Sequence, residues 1–139
     1  SSATHVAISP DGMRAYVTYT HSDFGAGRFY ETRVAVVDID PGSPTYHQEI
    51  ALIPTSGEYL HTMAVSGSGR YLFVVAVLTD DVIVIDTQLG AQVWRIRTSN
   101  APVDVAAGPR PGTFYVASAE SNEVRLVGMP GIYLPLILK

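Results

Sequence analysis

The stretch AVSGSGRYLFVVAVLTDDVIVID, residues 64–86, decides the fold of this 139-residue chain. It consists of two apolar runs, rich in valine and isoleucine, separated by short polar breaks. β-Branched and aromatic residues favour strands, and glycine-rich or aspartate-rich breaks favour turns. The run from Leu72 to Val77 is apolar at every position, which is typical of a strand covered on both faces of its sheet. We therefore expect buried strands here and almost no helix in the chain.

The same pattern returns on both sides of this stretch. A shift of 42 residues forward places Phe73 on Tyr115, and a shift of 57 backward places it on Tyr16. The same shifts match Ala64 with Ala106 and Ala7, Val74 with Val116, and Gly69 with Gly12. Copies of one unit thus fill the chain at a spacing of about 40 to 45 residues, typical of a four-stranded propeller blade that buries its faces only against its neighbours.

The sequence therefore predicts an all-β fold of three four-stranded antiparallel blades, part of a six- to eight-bladed β-propeller ring. The predicted units are residues 1–58, 59–101 and 102–139. The predicted strands are 5–9, 15–19, 34–38 and 48–53 in the first unit, 62–65, 71–77, 82–85 and 92–97 in the second, and 103–107, 114–118 and 124–127 in the third. The pattern leaves a fourth strand of the third unit open.

The first turn of each unit is rich in glycine or proline. Ser9-Pro10-Asp11-Gly12 places an Asp-Gly pair between two strand-like runs. This pair predicts a hairpin with a primed turn, because glycine accepts the positive φ that such a turn requires. Ser66–Gly69 takes the same place in the second unit, and the stiffer Gly108–Gly112 in the third.

Three runs carry a resemblance to a known family: Ala15-Tyr16-Val17-Thr18, Val82-Ile83-Val84-Ile85-Asp86-Thr87 and Phe114-Tyr115-Val116-Ala117. They resemble the YVTN family of bacterial β-propeller repeats across essentially the whole chain. The third unit departs, with Gly128 where the others have Asp38 and Asp86. The resemblance implies a propeller and leaves its chemistry open, since related propellers are surface proteins, binding platforms or cofactor-holding oxidoreductases.

Composition excludes several classes of protein. The chain is 47% hydrophobic and 16% charged, so it is not disordered. Its net charge is -4 without a cluster of Lys and Arg, which disfavours nucleic acid. It has no cysteine, which excludes disulfides and thiolate chemistry and is compatible with an oxidising compartment. No apolar run reaches the ~20 residues of a membrane span, and Ser1-Ser2 does not begin a signal peptide.

Three blades do not make a ring, because propellers have about four to eight. An end blade with ~500 Å² of apolar face in water would lose roughly 12 kcal/mol, comparable to a domain's whole stability. The chain is therefore expected to be a segment of a longer propeller, or a protomer that closes by symmetric association, for example as two copies with six blades. We favour the segment, because the chain starts at a first strand and its last strand is weak.

The tail from Pro130 to Lys139 is apolar. It is interpreted as a final outer strand, in place or swapped onto a neighbour, with Pro135 restricting it to an edge. A docking peptide or the start of a further domain is the alternative.

The start of a blade's first strand and the connection between its second and third strands lie on one side of the ring. The first unit has its extra residues in that connection, Thr20 to Thr32, which predicts a dedicated binding loop. The candidates for a binding face on this side are His5, His21, Asp23, Arg28, Tyr30, His61, Asp80, Asp81, Glu120 and Asn122. His5, His21, His61 and Asp23 have no diagnostic ligand spacing, so we expect no metal and no cofactor.

Other polar and aromatic residues have structural interpretations. Asp38 and Asp86 each end a third strand, where an aspartate starts a turn, so they are interpreted as scaffold rather than as paired catalytic acids. His47 is expected to face solvent, and Trp94 to pack in an outer strand or, alternatively, to contact a partner protein. A solvated acidic rim is predicted from Glu31, Glu58, Asp80, Asp81, Glu120 and Glu123.

No nucleophile elbow, phosphate-binding glycine loop or zinc-protease motif occurs in the sequence. We therefore expect a non-catalytic binding module of an exported or cell-surface bacterial protein, taking a protein or small ligand on one rim. The alternative is part of a redox propeller that holds a haem, quinone or metal centre in its channel, with His5 or His61 as ligands. A lactone-cleaving propeller enzyme is a third hypothesis, which the residues neither support nor exclude.

Overall fold

The computed structural model describes residues 2–23, 25, 29–98, 100–130 and 137–138. Within these ranges, twelve strands form three four-stranded antiparallel sheets, each in chain order. The sheets contain β1 (Ser2–Ile8), β2 (Arg14–Asp23), β3 (Phe29–Asp38) and β4 (Glu49–Thr55); β5 (Leu60–Val65), β6 (Tyr71–Ala76), β7 (Asp81–Asp86) and β8 (Ala91–Arg97); and β9 (Pro102–Ala107), β10 (Thr113–Ser118), β11 (Glu123–Gly128) and β12 (Ile137–Leu138). We call these sheets blades 1, 2 and 3.

The predicted all-β class and the three four-stranded blades are confirmed. The helical structure in the described part of the chain is a 3-10 turn at Val77–Thr79. β12 pairs with β11 through Leu138 and Ile137, so these two residues of the tail form an outer strand, while Pro135 lies outside the described residues. No helix in the described part is long and apolar enough to cross a membrane.

The internal repeat is visible as equivalent strand pairing. The residues matched by the sequence shifts occupy the same rung of each blade: Ala7 with Tyr16, Ala64 with Phe73, and Ala106 with Tyr115. The rungs at the end of the third strand are equivalent too: Arg14 with Asp38, Tyr71 with Asp86, and Thr113 with Gly128. The substitution of Gly128 for aspartate therefore leaves the register of blade 3 unchanged.

The first turn of blade 1 differs in type from the prediction. The hairpin forms, and Gly12 has the expected positive φ of 74°. Its amide donates to the Ser9 carbonyl (2.9 Å), which closes a turn with Pro10 and Asp11 at its centre, and neither of these has a positive φ. A primed turn needs positive φ at its centre, so the predicted type is wrong. Blade 2 has the equivalent bond from Gly69 to Ser66 (2.8 Å).

Two apolar cores lie between the blades. We call the face of a blade that looks toward the next blade in the chain its forward face, and the opposite one its backward face. The forward face of blade 1, with Tyr16 and Val36, packs on the backward face of blade 2, with Leu72 and Val74. The forward face of blade 2, with Phe73, packs on blade 3 in the same way.

Blade 2 is thus covered on both sides, and its strand residues Leu72–Ala76 and Val82–Ile85 are 0% exposed. The end blades each have a face open to solvent. On the backward face of blade 1, Val6 is 58% and Leu52 45% exposed, and on the forward face of blade 3, Val124 is 41% exposed. The chain is therefore part of a ring.

Hydrogen bonds made by threonines of blade 1 join it to the first strand of blade 2 and to the connection before that strand. Thr4 Oγ1 donates to the Leu60 carbonyl (2.8 Å), and the Leu60 amide donates to Thr20 Oγ1 (3.1 Å). Thr32 Oγ1 donates to the Gly57 carbonyl (2.8 Å). Because buried backbone groups need partners, these bonds fix how the two blades meet.

Candidate functional site

In blade 1, β2 and β3 extend beyond the rest of the sheet as a two-stranded ribbon. The last rung of β1 joins Ser2 to Thr20, and the last rung of β4 joins Thr55 to Thr32. β2 and β3 continue to pair beyond those rungs: His21 with Glu31, Ser22 with Tyr30, and Asp23 with Phe29. The predicted binding loop over residues 20–32 is therefore wrong in form, since most of it is paired strand.

Blade 2 shows what the ribbon adds. Its second and third strands end together at the rung of Ala76 and Asp81 and are joined by the 3-10 turn. In blade 1 the hairpin continues, and its base is held by Thr20, which accepts the Leu60 amide of blade 2, and by Thr32, which donates to Gly57 in the connection between the two blades. The ribbon is thus anchored at its base and unsupported by β1 or β4 above it. We call this side of the ring the ribbon rim.

Three of the binding-face candidates predicted from the sequence lie on the ribbon. His21, Asp23 and Tyr30 belong to its last three rungs, whereas Arg28 lies outside the described residues. The side chain of His21 borders a cleft of about 300 Å³ with Tyr19, Arg33, Glu49 and Leu52, on the backward face of blade 1.

The two histidine candidates of the inner strands lie on neighbouring strands. His5 is half-buried in β1, and His61 is exposed in β5. Thr18 Oγ1 donates to the backbone carbonyl of His61 (3.3 Å), which brings β1, β2 and β5 together. Within the described residues, no group of three or more His, Asp or Glu side chains is placed to hold a metal.

Asp80 has a structural role at the end of the 3-10 turn. It adopts a left-handed conformation with φ of 55°. Its carboxylate accepts the Ala101 amide (2.9 Å), and its carbonyl accepts the Thr98 amide (2.9 Å). Asp80 therefore ties the connection between blades 2 and 3 to the ribbon rim.

The predicted solvated acidic rim is wrong for Asp81, which is buried, whereas Glu31 is exposed as predicted. Asp81 is 3% exposed, and its carboxylate receives Arg95 Nε at 2.6 Å. Glu31 pairs with Arg33 (2.7 Å) and Glu123 with Arg125 (3.3 Å). Glu31 and Glu123 each pair with the arginine two residues further along the same strand, a spacing that places both side chains on one face, whereas Arg95 reaches Asp81 from the neighbouring strand. Glu58, Glu120 and Asn122 are exposed.

On the opposite rim, Asp38 and Asp86 form turns, as predicted. Asp38 accepts hydrogen bonds from the hydroxyls of Ser43 and Thr45 and from the Asp40 amide, and these bonds lower its pKa to about 2. Its carboxylate also receives Arg14 Nη1 at 3.0 Å. A carboxylate held in this way is a fixed acceptor rather than an acid.

Asp86 is held in a comparable network. Burial opposes its charged form, but bonds from the Leu89 amide, the Arg70 guanidinium and the Gln88 amide outweigh burial and lower its pKa. Sequence analysis found the aspartates and missed the arginines, because Arg14 and Arg70 are not at equivalent positions of the repeat.

Two aromatic expectations have clear outcomes. His47 is exposed as predicted and stacks on Tyr46 with ring centroids 3.6 Å apart. Trp94 lies in the outer strand β8 but is 43% exposed, so it packs only in part.

The similarity of this chain to known proteins is found in its fold. No protein-family model matches the sequence, and no similar curated protein is found. Among solved structures, hydrazine synthase of Kuenenia stuttgartiensis superposes with a TM-score of 0.75 at 18% identity, over 94% of this chain and 46% of that one. The WD40 repeats of RRP9 give 0.72 at 15% identity, over 99% and 38%.

A third match is the dihydro-heme d1 dehydrogenase NirN, with a TM-score of 0.68 at 19% identity, over 94% of this chain and 26% of that one. The chain therefore spans less than half the length of these proteins. Together with the three blades, the likenesses show a β-propeller. The set includes WD40 repeats and enzymes, so the fold alone does not select a role.

Proposed function

We propose that the chain belongs to a non-catalytic propeller binding module with YVTN-like repeats, from an exported or cell-surface bacterial protein. Its ribbon rim takes a protein or small ligand, and an extended peptide fits this rim best. The observation that carries the proposal is the ribbon, because β2 and β3 pair over ten described rungs, whereas β6 and β7 of blade 2 pair over six. The resemblance of the repeats to bacterial YVTN propellers supports the location.

The ribbon suits a peptide because its outer edges have no described strand beside them. β1 stops at the rung of Thr20 and β4 at the rung of Thr32, so neither strand pairs with the edges of the last three rungs. Such edges bind extended peptides by adding a strand. A two-stranded ribbon is also marginally stable alone and gains from a third strand.

The test compares the chain with a variant in which residues 21–31 are replaced by Asn-Gly, a strong hairpin turn. Both proteins are screened against a displayed random-peptide library and a glycan array. We expect peptide binders of the unmodified chain that lose at least tenfold in affinity for the shortened variant. Equal binding by both proteins would contradict the proposal, and unchanged circular dichroism shows that the shortened protein still folds.

A point substitution sharpens this test. His21→Ala changes the first rung of the ribbon, and His47→Ala removes the same side chain from the opposite rim. We expect only His21→Ala to weaken peptide binding. The redox alternative predicts another result: a visible absorption band or a stoichiometric metal in the purified protein, either of which would overturn the proposal.

A further inference from the structure

A cleft of about 240 Å³ lies on the opposite rim, along the seam where blades 1 and 2 meet. Its apolar lining includes Tyr16 and Ile53 of the forward face of blade 1, which are 4% and 2% exposed. Ala51 of β4, Thr87 of blade 2 and the guanidinium-bearing Arg14 also line it. Both sides of the cleft belong to neighbouring blades of the described structure, so the site does not depend on what covers their other faces.

The repeat shows what this seam lacks. Three of the lining positions hold an aromatic or thioether side chain at the seam between blades 2 and 3: Tyr71 in place of Arg14, Trp94 in place of Ala51, and Met129 in place of Thr87. Tyr71 and Met129 pack on the core between those two blades. The seam between blades 2 and 3 thus supplies from its own chain the large groups that are missing between blades 1 and 2, and the missing volume is the cleft.

Blade 2 also shows which group fits beside Arg14. Arg70 Cζ lies over the ring of Tyr71, 5.5 Å from its centroid, while the same guanidinium binds Asp86. In blade 1, Arg14 binds Asp38 in the same way, with Nη1 at 3.0 Å from Oδ1, but its side chain borders the open cleft. A guanidinium attracts an aromatic ring that lies against its planar face.

The charge of Arg14 is already balanced. Its Nη1 donates to Asp38 and to the Met13 carbonyl (2.8 Å), and the Asp38 carboxylate is ionised, as its pKa of about 2 requires. An anionic ligand would therefore gain little from Arg14 and would be repelled by Asp38. An uncharged ring meets no such repulsion.

We propose that this cleft is a binding site for an uncharged aromatic ring, carried by a small compound or by an aromatic side chain of a peptide. The ring fills the volume that Tyr71, Trp94 and Met129 fill at the next seam, and it contacts Arg14. A volume of 240 Å³ is below the roughly 300 Å³ at which pockets for drug-sized ligands begin, which suits a single ring. The proposal is independent of the ribbon rim.

The first test titrates the ¹⁵N-labelled chain with three matched probes and follows its amide signals by NMR. We expect benzyl alcohol to shift the signals of Arg14, Thr87 and Gly90, and to bind at least about threefold more tightly than cyclohexylmethanol, because only the aromatic ring gains from the guanidinium. Benzoate, the anionic probe, should bind more weakly than benzyl alcohol. No shifts at these residues, or equal or tighter binding of either control probe, would overturn the proposal.

A blocked Gly-Phe-Gly tripeptide distinguishes the two sources of the ring. Tighter binding of the tripeptide than of benzyl alcohol, at the same residues, supports the site and assigns the ring to a peptide side chain. Tighter binding of benzyl alcohol supports the site and assigns the ring to a small compound.

The second test fills the cleft. Ala51→Trp copies the residue of blade 2 into blade 1, and we expect it to weaken the binding of benzyl alcohol at least tenfold without lowering the melting temperature. The control Gln88→Trp adds the same ring to an exposed turn residue outside the cleft lining and leaves binding unchanged. Unchanged binding by the Ala51→Trp variant, or an equal loss in both variants, would place the ring elsewhere and overturn the proposal.

A third variant, Arg14→Gln, leaves the cleft open and removes the cation, so it tests the site even if the tryptophan variant does not fold. We expect it to bind benzyl alcohol and cyclohexylmethanol with equal affinity. A retained preference for the aromatic probe would show that Arg14 does not recognise the ring and would overturn that assignment. Circular dichroism checks the folding of each variant.

Discussion

Blades 1 and 2 are built from the same repeat but differ in how much of their apolar surface is exposed to solvent. In blade 2 both faces are covered, and Leu72 and Phe73, on opposite faces, are each 0% exposed. In the outer strand of blade 1, Ile53 on the forward face is 2% exposed, whereas the adjacent Leu52 on the backward face is 45% exposed. The burial of a blade therefore depends on its neighbours. A blade with apolar residues on both faces needs a neighbouring blade on each side.

The largest expected loss of stability comes from a substitution in the apolar core between blades 2 and 3. Phe73→Ala removes a buried ring that packs on Phe114, and we expect a loss of about 3–5 kcal/mol in the free energy of unfolding. Tyr115→Ala, at the equivalent repeat position on the solvent-facing side of blade 3, should cost less than half as much. Urea denaturation of both variants measures the difference, and equal losses would contradict the account of blade burial.

A second prediction concerns the seam between blades 1 and 2. A Cβ at Gly57 would lie 2.6 Å from both Ala76 Cβ and Ile83 Cδ1. Gly57→Ala should therefore destabilise the protein by about 1–3 kcal/mol through overpacking. The control is Gly67→Ala, where a Cβ meets nothing within 4 Å and the backbone has no positive φ. Similar melting temperatures for the two variants would show that the seam is loose.

The smallest effect is confined to acid. The folded pKa of Asp38 is about 2, below its ordinary 3.8, so its carboxylate stabilises the fold above about pH 4 and loses that contribution as pH falls toward 2. We expect a constant melting temperature from about pH 7 to 5 and a fall below that. Asp38→Asn should melt lower at neutral pH and lose less on acidification. Blade 3 has Gly128 on the equivalent rung, so this rung makes no pH-dependent contribution to stability there.

The fold could be predicted from the sequence because residues at equivalent positions of the repeat pair in the same register. Once Ala64 and Phe73 share a rung, the shifts of 42 and 57 predict the rungs of Tyr115 and Tyr16, and the structure confirms both. Asp38 and Asp86 were interpretable for the same reason, since a residue repeated at a strand end performs the same turn.

The site was less accessible because it departs from the repeat. The extra residues of blade 1 showed as added length, and length does not distinguish a loop from a ribbon when the segment has no strong strand pattern. The pairing of Asp81 with Arg95 is a diagonal contact between two strands, since Asp81 shares its rung with Arg97, and such a contact can be predicted only once the register of the strands is known. Contacts and extensions that occur in one unit alone cannot be predicted from the other units and become visible in the structure.

The ribbon also has a practical consequence. The rungs below Thr20 and Thr32 are those of an ordinary blade, so the hairpin above them can differ in length while the stacking of the sheets stays the same. A foreign peptide grafted between β2 and β3 would be displayed on a stalk whose base is bonded to the adjacent blade. The connection is thus a natural insertion point for engineered epitopes or recognition sequences.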